Sequence, residues 1–222
     1  MAAAADARAA AASCPVAVAG SMSSFCPPVM GGGPPGAPPG AAWDQTWFPG
    51  LADFREQAEL LAEAGADLIA LEMIGEPGYG AAAVQAAKET GLPVWLGVSP
   101  ARRPDGTLGA LPDLGDGGTF EDLVAALAAP NLAAVTVMHA SPDPALDAIG
   151  IVRRHFAGPV GVYAETGRWT PPNSVFTGLT PQQYLAEALT WASHGAQLIG
   201  GCCGTGPEHI ALLAAHLSGP AR

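Results

Sequence analysis

What most constrains this 222-residue chain is a repeated alternation of short, almost wholly apolar runs with Ala/Leu-rich stretches of helical period. The runs lie at residues 15–20, 67–72, 93–99, 133–139, 159–165 and 197–202. A strand with one wet face alternates apolar and polar residues, whereas a strand covered on both faces is apolar nearly throughout. Six such runs, most of them followed by a helical stretch, predict an α/β fold built on about six parallel strands.

The helical stretches carry their own punctuation. After Gly50, Phe54, Ala58 and Leu61 fall at i, i+4 and i+7, and Gly65 stands where a C′ glycine belongs. Thr180, Pro181 and Gln183 have the spacing of a capping box with proline at the first helical position. Thr205 and Glu208 repeat that spacing, ahead of an apolar stripe of Ile210, Leu213, Ala214 and Leu217. Residues 27–40 (PPVMGGGPPGAPPG) break the rhythm as a Pro/Gly-rich loop directly after the first strand, either a lid or a surface insertion. No domain boundary is evident, so residues 1–222 read as one domain.

Charge and composition exclude several roles. Nine basic against twenty acidic residues give a net charge of −11, which repels phosphate backbones and argues against nucleic acid as a partner. No apolar run approaches the roughly 20 residues needed to span a membrane. The N-terminal stretch has no basic region or Leu-rich segment of a signal peptide. Four cysteines, two of them adjacent, do not suggest a secreted disulfide framework. A cytoplasmic, reducing setting is expected.

The sharpest chemical signal is LIGGCCGTGPEHI at 198–210. Neighbouring side chains on an ideal strand point to opposite faces, so Cys202 and Cys203 reach one ion only if the backbone twists, which the flanking glycines permit. Thiolates are preferred zinc ligands, but two cysteines alone are an incomplete site. On residues alone, a pair of small buried side chains is the competing reading.

The segment GGCCGTGPEHI resembles the closing motif of the homocysteine S-methyltransferase family, zinc-dependent (β/α)₈ barrel enzymes of methionine formation. The likeness runs from Val16 to about Leu217: VAVAGSMSS resembles the family's third strand, EAGADLIALEMI the fourth, LPVWLGVSP the fifth, LAAVTVMHASP the sixth and PVGVYAETG the seventh. It implies a TIM-barrel-type fold that is N-terminally incomplete, with residues 2–12 as the tail of a missing helix. It also implies small-molecule substrates: homocysteine as methyl acceptor, and a sulfonium, ammonium or folate nitrogen as donor. Gly20 and Ser21 match the family's glycine–serine pair, and Glu72 matches the glutamate at the substrate's amino group. The third metal ligand in the family is a cysteine on the sixth strand. The alignment places His139 there, so the implied Zn²⁺ set is His139, Cys202 and Cys203.

Two departures bear on substrate. Where the family has Tyr-Pro-Asn-x-Gly, this chain has Tyr163-Ala164-Glu165-Thr166-Gly167, which sets a carboxylate at the substrate position, and Met73 follows Glu72 in place of threonine. An incomplete barrel leaves an open edge; a start internal to a longer protein is the favoured explanation, with pairing between two copies and a degenerate remnant as the others. Two alternatives stand beside the transferase: an inert metal-binding relative, and a hydrolase-type zinc enzyme with Glu165 as base. The remaining histidines, 155, 194, 209 and 216, read as helix-surface residues.

Overall fold

The computed structural model describes residues 16–23, 50–110, 118–170 and 175–217. The expected helix tail at 2–12 and the Pro/Gly segment at 27–40 lie outside the described residues. Two compact units divide the chain, one running to Leu96 and the other starting at Gly97. Six strands carry the sheet and alternate with helices, the α/β arrangement expected from the apolar runs.

The first unit contains β1 (Ala19–Ser23), α1 (Leu51–Glu63), β2 (Leu68–Ile74), α2 (Pro77–Glu89) and most of β3 (Val94–Val98). β1 pairs in parallel with β2, with Gly20 opposite Ile69 and Ser23 opposite Glu72. The strand begins later than the run at 15–20 suggested. Its ladder opens only at Val18, whose carbonyl accepts the Asp67 amide at 2.8 Å while its own amide donates to the Asp67 carboxylate at 2.7 Å. Val16, ahead of that bond, is exposed. β2 is covered along its length, with Ile69, Leu71 and Ile74 fully buried, as a near-continuous apolar strand should be.

Helix α1 buries Phe54 and Ala58, and Gly65 follows its end at φ 88°, as the sequence spacing predicts. Helix α2 is entered through Glu76, whose carboxylate accepts the Gly78 and Tyr79 amides at 2.7 Å, with Pro77 at the first helical position. Arg55 of α1 grips Glu89 of α2 with two bonds of 2.6 and 2.8 Å.

The second unit contains β4 (Pro100–Arg102), β5 (Leu108–Ala110), α3 (Phe120–Leu127), β6 (Ala134–Met138), α4 (Pro142–His155) and β7 (Val160–Tyr163). It continues with β8 (Gly167–Thr170), β9 (Val175–Gly178), α5 (Pro181–Ser193), β10 (Leu198–Ile199) and α6 (Pro207–Leu217). β6 and β10 flank β7, both in parallel. Its core is built from Phe120, Leu123 and Val124 of α3, Ala145, Ile149 and Val152 of α4, and Tyr184, Ala188 and Trp191 of α5. Two antiparallel hairpins, β4–β5 and β8–β9, were not anticipated.

The capping box ahead of α5 forms: the Thr180 amide donates to Gln183 Oε1 at 2.9 Å, and the Gln183 amide donates to Thr180 Oγ1 at 3.3 Å. The box proposed for α6 does not. Pro207 is the first residue of that helix, and the Thr205 hydroxyl donates to the Cys202 carbonyl at 2.7 Å. The buried face of α6 is His209 and Leu213, so Leu213 of the expected stripe is buried while Ile210 and Ala214 are exposed.

Candidate metal centre

Strand β10 ends at Ile199, three residues short of the expected Cys202. The run Gly200–Cys203 has therefore left strand geometry before the thiols are reached, which removes the objection that adjacent side chains diverge. Two glycines make the turn. A Cβ on Gly201 would lie 2.5 Å from Thr205 Oγ1, and Gly204 takes φ 79°, a left-handed conformation that disfavours side chains. Thr205 closes the loop through its bonds to the Cys202 carbonyl. The two sulfur atoms come to rest 3.9 Å apart, both half-buried.

His139 joins them. It stands just beyond β6 with φ 46°, a left-handed backbone unusual for a non-glycine residue. Donor atoms of His139, Cys202 and Cys203 all lie within 4.8 Å of one another, the spacing needed to share one ion. Among the described residues no other trio of His, Cys, Asp or Glu is so placed.

The tripeptide Ala164–Glu165–Thr166, just after β7, staples these segments together. The Cys202 amide donates to the Ala164 carbonyl at 3.0 Å, and the Thr166 amide donates to the Cys203 carbonyl at 3.0 Å. On the other side, the Glu165 amide donates to the Ala140 carbonyl at 2.9 Å. Tyr184, fully buried on α5, holds the same region from beneath, its hydroxyl 2.9 Å from both the Ala164 and Gly200 carbonyls. Burial raises the Tyr184 phenol well above its ordinary value.

The donor set suits a soft divalent cation. Burial, followed by the neighbouring Cys203 thiol, pushes the Cys202 thiol up to about 12, against a partial lowering by backbone groups of Cys203 and His139. Two half-buried thiols this close resist ionising together unless a positive charge lies beside them. One imidazole and two thiolates leave a tetrahedral ion one open position, the arrangement of catalytic rather than structural zinc sites.

Glu165 contacts neither cysteine in this network. Its Oε1 lies 2.8 Å from His139 Nδ1, with the carboxylate side chain 16% exposed and the imidazole 30%. This partnership was invisible in the sequence, where the two residues stand on different strands. His209 corrects a second expectation. It is only 6% exposed, its Nε2 facing the Leu179 carbonyl at 3.0 Å and its Nδ1 accepting the Gly206 amide at 3.1 Å. It is a core residue joining two loops, because Pro207 at the helix start turns position 209 inward. His155 and His216 sit on helices and His194 caps the end of α5; they bond Glu121, Leu212 and Thr190 respectively, as surface histidines should.

The remaining predicted residues belong to the first unit. Ser21 of β1 donates its hydroxyl to the Glu72 carboxylate across the parallel pair. A Cβ on Gly20 would lie 3.0 Å from Leu61 Cβ, so the glycine lets α1 approach β1 closely. Met73, after Glu72, has φ 57°. The second unit also holds an open cavity of about 650 Å³ beside β5, α3 and α4. Its cations are already engaged, Arg102 by Asp143 and Asp147 and Arg154 by Glu121.

Comparison with known proteins gives the family. The family model for homocysteine S-methyltransferase matches residues 1–217. Homocysteine S-methyltransferase 1 of Zea mays is 31% identical over 183 residues, covering 76% of this chain and 52% of the maize protein. The chain spans about half the length of the curated relatives it matches. Among solved structures, the apo form of the homocysteine methyltransferase MmuM from Escherichia coli superposes with a TM-score of 0.62 at 26% identity, covering 96% of this chain and 70% of that one. Its metallated form matches with a TM-score of 0.54 at 26% identity, covering 75% of this chain and 52% of that one. These likenesses establish the TIM-barrel type of the α/β fold.

Proposed function

Because this chain belongs to the homocysteine S-methyltransferase family, we propose that it binds one zinc ion through His139, Cys202 and Cys203 and transfers a methyl group to the thiol of homocysteine. The observation that carries this reading is the convergence of one imidazole and two thiols within 4.8 Å at the ends of two strands. When bound there, Zn²⁺ supplies the Lewis acidity that lets a thiol lose its proton near neutral pH.

The protein's own groups do the rest. The staple at Ala164–Glu165–Thr166 and the Tyr184 hydroxyl hold the three ligands in register before any substrate arrives, so little reorganisation is needed when the ion binds. In the transfer, the acceptor sulfur forms a bond to the methyl carbon as the carbon–heteroatom bond of a sulfonium, ammonium or folate donor breaks. The leaving heteroatom takes the bonding pair, and the acceptor's proton has already gone to solvent. In the first unit, Glu72 is the acceptor group for the homocysteine ammonium, and Ser21, already bonded to it, fixes the orientation of that carboxylate. Gly20, next to Ser21, leaves room for Leu61 of α1 against β1. No helix among the described residues is long and apolar enough to cross a membrane. We place the reaction in the cytoplasm, where reducing conditions keep vicinal thiols free.

Zinc content of protein purified under reducing conditions is the primary test. About one zinc per chain is expected, lost in a His139→Ala/Cys202→Ala double variant. Methyl transfer from a sulfonium donor to homocysteine should follow the metal. Folded protein without zinc would end this reading. Glu72→Gln should raise KM for homocysteine about tenfold or more with zinc content unchanged, as loss of a charge-assisted bond predicts; an unaltered KM removes Glu72 from the acceptor site.

A further inference from the structure

One contact in the second unit that the ligand set leaves unexplained joins His139 Nδ1 to Glu165 Oε1 at 2.8 Å. A carboxylate accepts and does not donate when ionised, so the imidazole must carry its proton on Nδ1 to satisfy the pair. In the neutral ring that a metal ligand must be, the nitrogen left with a lone pair is then Nε2. An imidazole free to choose between tautomers presents the wrong nitrogen part of the time, and its ring is free to rotate. One gripped at Nδ1 presents a fixed donor in a fixed plane.

Glu165 is itself held. Its amide donates to the Ala140 carbonyl, next to His139, and the residues on either side of it bond Cys202 and Cys203 through the main chain. The carboxylate therefore reaches His139 from a backbone already registered to both thiols. Its side chain is 16% exposed, so water competes weakly for the contact. The left-handed backbone of His139 contributes as well, because a residue at φ 46° persists only where surrounding contacts hold it.

We propose that Glu165 is a positioning residue for the metal centre, locking His139 in the Nδ1–H tautomer so that Nε2 is the metal ligand. The inference rests on the metal-site reading above and deepens it. It assigns Glu165 to the ligand rather than to the substrate, and it gives the carboxylate a second role: offsetting the ion's charge in a site with one neutral ligand. His209 supplies an internal contrast. Its Nε2 faces a carbonyl and its Nδ1 accepts an amide, so it holds the opposite tautomer.

The test is a cycle of zinc affinities on the full chain, measured by competition with a chromophoric chelator. Glu165→Ala is made in the wild-type background and in a His139→Cys background. A thiolate has no second nitrogen to orient, so a positioning role predicts a loss of about 10- to 100-fold with His139 and less than about threefold with cysteine. Equal losses in both backgrounds would show that Glu165 acts through the fold, and no loss with His139 would also overturn the proposal. Nitrogen-15 NMR of the imidazole in the zinc-loaded wild-type chain gives an independent reading that needs no variant to fold. It should show a protonated Nδ1 and a metal-bound Nε2, and a metal-bound Nδ1 sinks the assignment. A wild-type chain that takes up no zinc removes the metal reading itself, whereas zinc bound equally well by wild type and Glu165→Ala removes only the role of Glu165.

Discussion

The two units each place a non-glycine residue of positive φ near the end of a strand and beside a carboxylate, and they use the device differently. In the first, Met73 at φ 57° follows Glu72, whose carboxylate, among the described residues, takes a hydroxyl bond from Ser21. In the second, His139 at φ 46° is gripped by Glu165, and both sit in a mesh of main-chain bonds that also fixes Cys202 and Cys203. The first arrangement leaves a carboxylate with acceptor capacity to spare, suited to a cationic group that comes and goes. The second commits its carboxylate inward, to another protein side chain. On the proposed reading, similar strand ends serve as a docking group in one case and a preassembled ligand set in the other.

The largest effect that sharpens the contrast comes from the ligand set. Cys202→Ala should lower zinc affinity by more than about 100-fold, read by equilibrium competition, since it removes a direct ligand rather than a supporting group. If the affinity holds, the second cluster is no more committed than the first. Tyr184→Phe should come next. It strips a buried side-chain donor from the Ala164 and Gly200 carbonyls, costing about 1–3 kcal/mol in denaturant unfolding. A value near zero would mean the staple holds without support from α5.

Backbone strain gives a smaller signal. Met73→Gly should be neutral or stabilising by up to about 1 kcal/mol, because relief at positive φ outweighs the chain entropy of glycine. His139→Gly should relieve similar strain while abolishing metal binding, so stability and zinc content part company at one strand end only. A matched loss of stability at both positions would contradict strain as the common feature.

The smallest expected effect lies on the helix surfaces. Arg154, then His155, hold the Glu121 carboxyl down to about 2, as Arg55 and Gln85 do for Glu89 in the first unit. A lowered folded-state value means the stabilisation is present above the ordinary carboxyl range near 4.5 and is lost as pH falls toward 2. Melting temperature should therefore drop between those pH values slightly less in Glu121→Gln than in wild type. Both bridges are solvent-exposed, so the difference should be slight and should fade in high salt.

Much of this was legible in the residues because it depends on local pattern. Apolar runs located the six strands, Thr180 and Gln183 announced a cap that forms, and the glycine-flanked cysteines marked the turn that brings both thiols together. What escaped depends on partners far apart in sequence or on a shift of one residue. The hairpins β4–β5 and β8–β9 are three and four residues per strand, too short for a period to show. His209 looked like a surface residue because the helix was taken to begin under Thr205, and Pro207 rotates it inward. No spacing rule could have linked Glu165 to His139, since nothing in either strand records which neighbour its end will meet.

The staple around Glu165 has a consequence in time as well as in space. The amide hydrogens of Cys202, Glu165 and Thr166 are donated to Ala164, Ala140 and Cys203, each crossing between segments that carry the metal-site residues. None of the three can exchange with solvent deuterium while the segments stay joined, so they should label together, as one cooperative opening. The lifetime of that closed state is the time for which the three segments stay in register with one another.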